Sequence, residues 1–341
     1  MTVRVGINGF GRIGRSFTRA LLARGDSDVE LVAVNEPMGD THTVAFLLKH
    51  DSVGGTLPND IQGTDHGLSV DGREIQKLEV MDPAEIPWAD HSVDVVVEST
   101  GLFTAREKAA GHLGGSVKRV IISAPSGDAD ATICLGVNDD VYDASAHTVI
   151  SNASCTTNCL APLAKVLNDA FGLEQGLMTT VHAYTSDQSL VDLARATRSG
   201  KPDLRRMRAA ALSIIPSSTG AARAIGLVLP ELKGKLDGTA LRVPTPTGSI
   251  TDLSANLATE ASVDEVNEVF AKAAADPSFR GVLEYSEEDL VSADIVHNPA
   301  SCIFSSVDTM ANGRMVKVLG WYDNEWGYSN RLVDLAAFVG E

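Results

Sequence analysis

Cysteine is scarce in this sequence: four residues, at 134, 155, 159 and 302, in a chain of 341. That is too few for a disulfide scaffold of this size. Cys155 and Cys159 lie four apart, but no second Cys or His pair at suitable spacing completes a metal site, so no metal is expected. Basic residues are also in deficit. Counting 28 Lys and Arg against 45 Asp and Glu gives a formal net charge of −17, a repulsion that argues against a nucleic-acid partner. Long apolar runs are missing, with nothing near the ~18 residues of a membrane span. The opening Met1-Thr2-Val3-Arg4-Val5 enters a strand pattern directly and leaves no room for a signal peptide. The expectation is a cytoplasmic protein with neither membrane nor nucleic acid among its partners. Hydrophobic content of 44% and charged content of 21% fit an ordinary globular chain, long enough for two domains.

No internal repeat is visible, but the pattern changes part-way along. Val3–Asn8 alternates apolar and other residues and stops at glycines, and Ile13, Phe17, Ala20 and Leu21 follow at helical spacing. Apolar stretches at 29–35, 93–97 and 117–122 read as further strands. Repeated βα units with near-continuous apolar strands predict a parallel, doubly wound sheet. Cys134 falls in the apolar run Thr132-Ile133-Cys134-Leu135, as core. After Asn152 a helix is predicted from Cys155 through Leu160, Leu163, Ala164 and Leu167. Longer strands follow, including 241–246 and 315–321. That pattern predicts a second, α+β domain with a mixed, mostly antiparallel sheet. The longest loop candidate is 194–208, rich in Arg, Gly and Pro. Residues 332–338 pattern as an amphipathic helix able to return to the first domain.

Two motifs carry chemistry. Gly9-Phe10-Gly11-Arg12-Ile13-Gly14 follows a strand, opens a helix and precedes an acidic residue, Glu36, at the end of the next strand. Those are the contexts a dinucleotide-binding turn requires. Gly9 allows the tight turn, Gly11 the approach of a pyrophosphate to the helix N-terminus, and Gly14 close helix–strand packing. Glu36 would accept hydrogen bonds from the adenosine ribose and repel a 2′-phosphate. The second motif is Ser154-Cys155-Thr156-Thr157-Asn158-Cys159, with His182 further on in Thr180-Val181-His182-Ala183-Tyr184-Thr185. A helix N-terminus and an imidazole would both favour the Cys155 thiolate. His182 could then take a proton as an aldehyde adduct is oxidised. A nucleophilic cysteine beside a nicotinamide cofactor implies oxidation through a thioester. Arg205, Arg206, Arg208, Arg223 and Arg242, with Ser217-Ser218-Thr219-Gly220, are candidates for phosphate groups, and sequence alone does not choose among the arginines.

These residues resemble the phosphorylating glyceraldehyde-3-phosphate dehydrogenases over essentially the whole chain. The matching stretches are 8–15, 154–159, 182–185, Arg242-Val243-Pro244-Thr245-Pro246 and Trp321-Tyr322-Asp323-Asn324-Glu325-Trp326-Gly327-Tyr328. The resemblance implies a homotetramer that converts glyceraldehyde 3-phosphate, inorganic phosphate and NAD to 1,3-bisphosphoglycerate and NADH. It implies an NAD-binding Rossmann domain over 1–153 and 324–341 and a catalytic domain over 154–323. An extended S-loop near 187–210 would run beside a neighbouring subunit's cofactor. Cys155 would be the nucleophile and His182 the base. Thr185, Asp187 and Arg242 would hold the substrate phosphate, and Ser154, Thr156, Thr219 and Gly220 the attacking phosphate. Gly9, Gly11, Arg12, Ile13, Gly14, Glu36, Met81, Thr100, Gly101, Ser123, Asn324 and Tyr328 would line the cofactor site, Asn324 at the nicotinamide carboxamide.

The chain also departs from the family's pattern. Glu36 stands where Asp is usual, Met81 where Arg is common, Ala194 where NAD-specific members often carry Pro, and Thr247-Gly248-Ser249 where Asn-Val-Ser is more usual. The 193–205 connection is longer than usual. These differences leave NAD against NADP preference open. Two alternatives accompany the main expectation: an erythrose-4-phosphate dehydrogenase, and a specialised paralogue with altered sensitivity to thiol-directed inhibitors. A regulatory or scaffold protein that lost catalysis would show damage at Cys155 or His182, and both are present.

Overall fold

The computed structural model describes residues 2–25, 28–194 and 202–341. They divide into two compact units: Met1–Ile133, Asp140–Ala153 and Ser329–Glu341 in the first, Cys134–Asp139 and Ser154–Tyr328 in the second.

A nine-stranded sheet runs through the first unit. Six parallel strands lie side by side as Arg73–Leu78, Val29–Asn35, Val3–Asn8, Val95–Glu98, Arg119–Ile122 and Val149–Ser151. Numbered along the chain, their order is that of the doubly wound dinucleotide-binding fold. The strands read as apolar runs because both faces of a parallel sheet are covered, and Val95, Val96 and Val97 are all fully buried. Ala131–Thr132 extends one edge in parallel. The antiparallel strands Gly67–Val70 and Ile61–Gly63 extend the other. Neither these two strands nor Arg73–Leu78 is evident in the sequence pattern. Arg73-Glu74-Ile75-Gln76-Lys77-Leu78 is mostly polar, and the sheet fixes it through backbone pairing. The run at Cys134 also differs from expectation. Its strand ends at Thr132, and Cys134 is buried beyond it with the second unit.

The second unit is built on a seven-stranded mixed sheet in the order Ile215–Ser218, Leu236–Val243, Leu173–Ala183, Ser249–Leu257, Met315–Tyr322, Cys302–Asn312, Leu283–Ser286. Four of its six pairings are antiparallel and two are parallel. Along Ser249–Leu257 every second residue is buried, the period expected of a strand with one face in the core. Leu236–Val243 stops just before Pro244, which cannot donate to a ladder. The predicted helix appears as Cys155–Phe171, burying Leu160, Leu163, Ala164 and Leu167.

The C-terminal helix, Trp326–Gly340, is buried nearly all round, with Leu332, Val333, Leu335 and Ala336 at most 1% exposed. Within the first unit Arg24 holds it, donating to the Asn330 carbonyl at 3.0 Å and pairing with Asp334. The change of unit falls at Ser329, whereas the sequence reading put it at 324. Hydrogen bonds account for the difference. Asp323 and Asn324 accept bonds from Thr247 and Ser249 of the second unit's sheet.

Candidate active site

In the first unit the expected cofactor residues gather at the carboxyl ends of the parallel strands. Gly9 follows Val3–Asn8, Glu36 follows Val29–Asn35, and Met81 lies just beyond Arg73–Leu78. Thr100 and Gly101 follow Val95–Glu98, and Ser123 follows Arg119–Ile122. The crevice at this edge is where open α/β sheets bind ligands. Gly9 has φ +90°, and a Cβ there would lie 2.7 Å from Thr100 N. A Cβ on Gly14 would lie 2.5 Å from the Gly9 carbonyl oxygen, so the helix Arg12–Arg24 could not sit this close to the turn. A Cβ on Gly11 would meet nothing within 4 Å, and no side chain caps this helix's first amides. An uncapped N-terminus with open space above it suits a pyrophosphate, and Ile13 lies in that first turn. Arg12 pairs with Asp51. Glu36 accepts from Phe10 N at 2.9 Å and Met38 N at 3.0 Å. Its added methylene lets the carboxylate reach back onto the glycine turn. Met81 is 74% exposed.

A buried network supports this edge from below. The Glu98 carboxylate accepts from Asn8 Nδ2 at 2.6 Å and Thr100 N at 2.9 Å, with His112 Nε2 at 3.0 Å. Trp88 Nε1 donates to His112 Nδ1 at 3.1 Å, which leaves the His112 proton on Nε2, pointing at Glu98.

The second unit holds Cys155 and His182. Ala153, fully buried, takes a left-handed backbone with φ 54°. Such a conformation in a residue with a Cβ marks a place where the fold over-determines the backbone. It turns the chain into the helix Cys155–Phe171, whose first amides Ser154 caps by accepting from Thr157 N at 3.0 Å. Cys155 Sγ lies 3.5 Å from His182 Nε2. Around the imidazole, Arg242 Nη1 is 3.0 Å from Nδ1, 3.2 Å from the Ala183 carbonyl oxygen and 3.0 Å from Thr185 Oγ1. His182 Nδ1 is 2.7 Å from that same carbonyl. The carbonyl can only accept, so Nδ1 carries the proton, and the two hydrogens on Nη1 go to the carbonyl and to Thr185. The Nε2 lone pair therefore faces the thiol, the tautomer a base requires.

The ionisation differs from the sequence expectation. Burial pushes the Cys155 thiol up to about 11, with the Arg242 guanidinium and hydrogen bonds at Thr156 pulling the other way. Burial, and then the Arg242 charge, push His182 down to about 3. Cys155 keeps some exposed surface, but its sulfur sits among densely packed atoms, and desolvation outweighs the charges that would favour a thiolate. Burial thus favours the neutral form of both the thiol and the imidazole.

Some of the other expected residues are bonded to this cluster, and others lie elsewhere in the second unit. Thr185 bonds Asp187, and Asp187 pairs with Arg206. Thr156 Oγ1 is 2.9 Å from the Tyr322 hydroxyl, which is 2.8 Å from Thr180 Oγ1. The Tyr322 ring packs edge-on to His182. Tyr322 lies in the matching stretch 321–328 without an expected role, and the alternating burial of the strand Met315–Tyr322 is the signal that turns it inward. Thr219 Oγ1 accepts from Ala221 N at 3.1 Å, and Gly220 opens the helix Ala221–Val228 with no side-chain cap. Among the five arginines, Arg242 is the one bonded beside His182, and Arg206 pairs with Asp187. Arg205 donates to Pro216 O, Arg208 pairs with Asp192, and Arg223 pairs with Asp237. Asn324 and Tyr328, expected with the first domain, are buried in the second unit. The expected loop is partly described: residues 195–201 lie outside the described residues, and Ser189, Leu193 and Ala210 are tied by backbone bonds across its base.

Residues 3–106 match the glyceraldehyde 3-phosphate dehydrogenase NAD binding domain, and residues 154–324 match that family's C-terminal domain. A Streptomyces coelicolor glyceraldehyde-3-phosphate dehydrogenase is 58% identical over 341 residues, covering 100% of this chain and 99% of the relative. One from Mycobacterium tuberculosis H37Rv is 60% identical over 346 residues with the same coverage. The chain belongs to the glyceraldehyde-3-phosphate dehydrogenase family. Residues 3–106 of its first unit are that family's NAD-binding domain, and the uncapped glycine turn and Glu36 are chemically fit for a dinucleotide. Among the described residues no helix is long and apolar enough to cross a membrane.

Proposed function

We propose that the chain oxidises glyceraldehyde 3-phosphate and phosphorylates the product, giving 1,3-bisphosphoglycerate, with Cys155 as nucleophile and His182 as base. The observation that carries this reading is the Cys155–His182 contact at 3.5 Å, with the imidazole lone pair aimed at the thiol. NAD, when bound, supplies the hydride acceptor. The chain's residues supply the rest. As Cys155 Sγ bonds to the aldehyde carbon, its proton moves to His182 Nε2 and on to the aldehyde oxygen, giving a hemithioacetal. His182 Nε2 then removes the hemithioacetal hydroxyl proton as the C–H bond breaks, leaving a thioester. Inorganic phosphate attacks the thioester carbon, and the Cys155 sulfur leaves and regains its proton. A neutral base suits the middle step, since an imidazolium could not accept the proton.

Arg242 Nε is buried with no partner among the described residues, a donor suited to the substrate phosphate. Thr185 and Asp187 orient that guanidinium. Ser154, Thr156, Thr219 and Gly220 are assigned to the attacking phosphate. Gly220 lies at an uncapped helix start, and nearby Ser217 Oγ is buried without a partner among the described residues. Gly9, Gly11, Arg12, Ile13, Gly14, Glu36, Met81, Thr100, Gly101 and Ser123 are assigned to NAD, with Asn324 and Tyr328 at its nicotinamide end. Glu36, a carboxylate seated on the turn, favours NAD over NADP.

A cytoplasmic homotetramer completes the proposal. Exposed Leu190, Val191, Leu193, Leu204, Leu212 and Ile214 support self-association, and a monomer in light scattering would refute it. The test of function is NADH formation from glyceraldehyde 3-phosphate and from erythrose 4-phosphate, with NAD or NADP, each with and without phosphate. Phosphate-dependent activity with glyceraldehyde 3-phosphate and NAD is the expected result. Comparable rates with NADP would overturn the role of Glu36, and faster turnover of the four-carbon substrate would overturn the substrate.

A further inference from the structure

Ser249 occupies an unusual position between two parts of the site. It is fully buried on the strand Ser249–Leu257. Its Oγ accepts from Ala183 N at 3.0 Å, the peptide that follows His182. The same Oγ is 2.8 Å from Asn324 Oδ1. A hydroxyl has one proton, and a backbone N–H can only donate. With the Ala183 amide pointing into one Oγ lone pair, the Ser249 proton is available for Asn324 Oδ1. The neighbouring Thr247 hydroxyl does not compete for that role. It donates to the Asp323 carboxylate at 2.7 Å and is 3.4 Å from Asn324 Oδ1. Asp323 in turn accepts from Glu325 N and Trp326 N at 3.0 Å each, and from His297 N at 2.9 Å, so its place is fixed by backbone.

The residue between the two hydroxyls makes this arrangement possible. Gly248 has φ +83°, and a Cβ there would lie 2.3 Å from the Ser292 carbonyl oxygen. The reversal at Gly248 brings Thr247 and Ser249 onto the same Asp323-Asn324 pair. A valine, usual at this position in the family this chain resembles, would not fit this backbone. Asn324 Nδ2 makes no hydrogen bond among the described residues and is not among their fully buried, unpartnered polar atoms.

We propose that Ser249 is a positioning residue for the nicotinamide end of the cofactor. Its single proton holds the Asn324 amide with oxygen inward, so that Nδ2 is presented as a donor to a carboxamide oxygen. Because the same oxygen anchors the peptide after His182, one buried hydroxyl sets the base and the carboxamide donor from a common point. The inference rests on the assignment of Asn324 to the nicotinamide carboxamide, and the experiment separates the two.

Dissociation constants for NADH and for ADP-ribose, which lacks the nicotinamide, are to be measured by titration calorimetry for the wild-type chain, Ser249→Ala, Asn324→Ala and the double variant. NADH keeps the ring charge neutral in every comparison. Ser249→Ala is expected to weaken NADH about tenfold, the scale of one neutral hydrogen bond, and to leave ADP-ribose unchanged. Asn324→Ala should show the same selective loss, and the double variant should lose little more than either single one. If Ser249→Ala affects NADH and ADP-ribose equally, or neither, while Asn324→Ala is selective, Ser249 does not position the amide and the proposal falls. If Asn324→Ala is itself without effect on NADH, the assignment of Asn324 falls and takes the proposal with it. Asn324→Asp gives an answer even where Ser249→Ala does not fold. It keeps an oxygen for Ser249 and replaces the outward N–H pair by oxygen. Selective loss of NADH is expected, and retention would mean that the amide faces the other way.

Discussion

Cys155→Ser should bind NAD normally and lose roughly 10⁴-fold or more of its turnover. The substitution replaces sulfur by oxygen at the start of a helix whose cap is supplied by Ser154, so the local backbone has no reason to change. The chemistry changes completely. Burial holds the thiol up to about 11, and in the proposed mechanism it reacts because His182 Nε2 takes its proton as the carbon–sulfur bond forms. A serine hydroxyl is far harder to ionise in the same dry surroundings and is the weaker nucleophile even with a base beside it. Any adduct it did form would lead to an ester rather than a thioester, a poorer acyl donor to phosphate. The measurement is steady-state NADH formation together with calorimetric NAD binding. Residual turnover within tenfold of wild type would mean that the nucleophile is elsewhere. Lost NAD binding would mean that the substitution disturbed more than the sulfur.

Much of this site was legible in the sequence because its key features are local. The glycine turn announces itself by spacing, and Gly14 meets the carbonyl of Gly9 within that turn, although the neighbour of Gly9, Thr100, comes from a distant part of the chain. Cys155 at a helix start follows from the apolar period behind it. What was not legible depends on distant partners. Arg73–Leu78 is a strand only because Val29–Asn35 and Gly67–Val70 pair with it. Asn324 is held in the second unit by the Ser249 hydroxyl, 75 residues earlier. The choice of Arg242 among five arginines needs the fold that sets strand Leu236–Val243 beside Leu173–Ala183, with Arg242 in register with His182. The ionisation of the pair could not be read either. A motif names the groups, but desolvation is a property of everything packed around them.

Arg242→Leu should lower kcat/KM for glyceraldehyde 3-phosphate by between about 30-fold and several-thousand-fold, the range expected when one partner of a buried charge pair is removed. The same variant should turn over glyceraldehyde, which carries no phosphate, at a rate changed far less. Two observations motivate this split. Arg242 Nε is buried with no partner among the described residues, and Nη1 is held in place by the Ala183 carbonyl and Thr185. The guanidinium thus has a fixed position and a donor in reserve. Its charge has a second effect, which supplies an independent readout. It is one of the causes that depress His182, after burial. Removing it raises the His182 value towards the ordinary imidazole range. Protonated imidazole cannot serve as the base, so the acid limb of the kcat profile for glyceraldehyde moves to higher pH in the variant. A substrate-selective loss together with that upward shift is the expected result. Equal losses for both aldehydes, with the acid limb unmoved, would mean that Arg242 supports the fold around Thr185 rather than the phosphate, and the substrate assignment of this pocket would have to be abandoned.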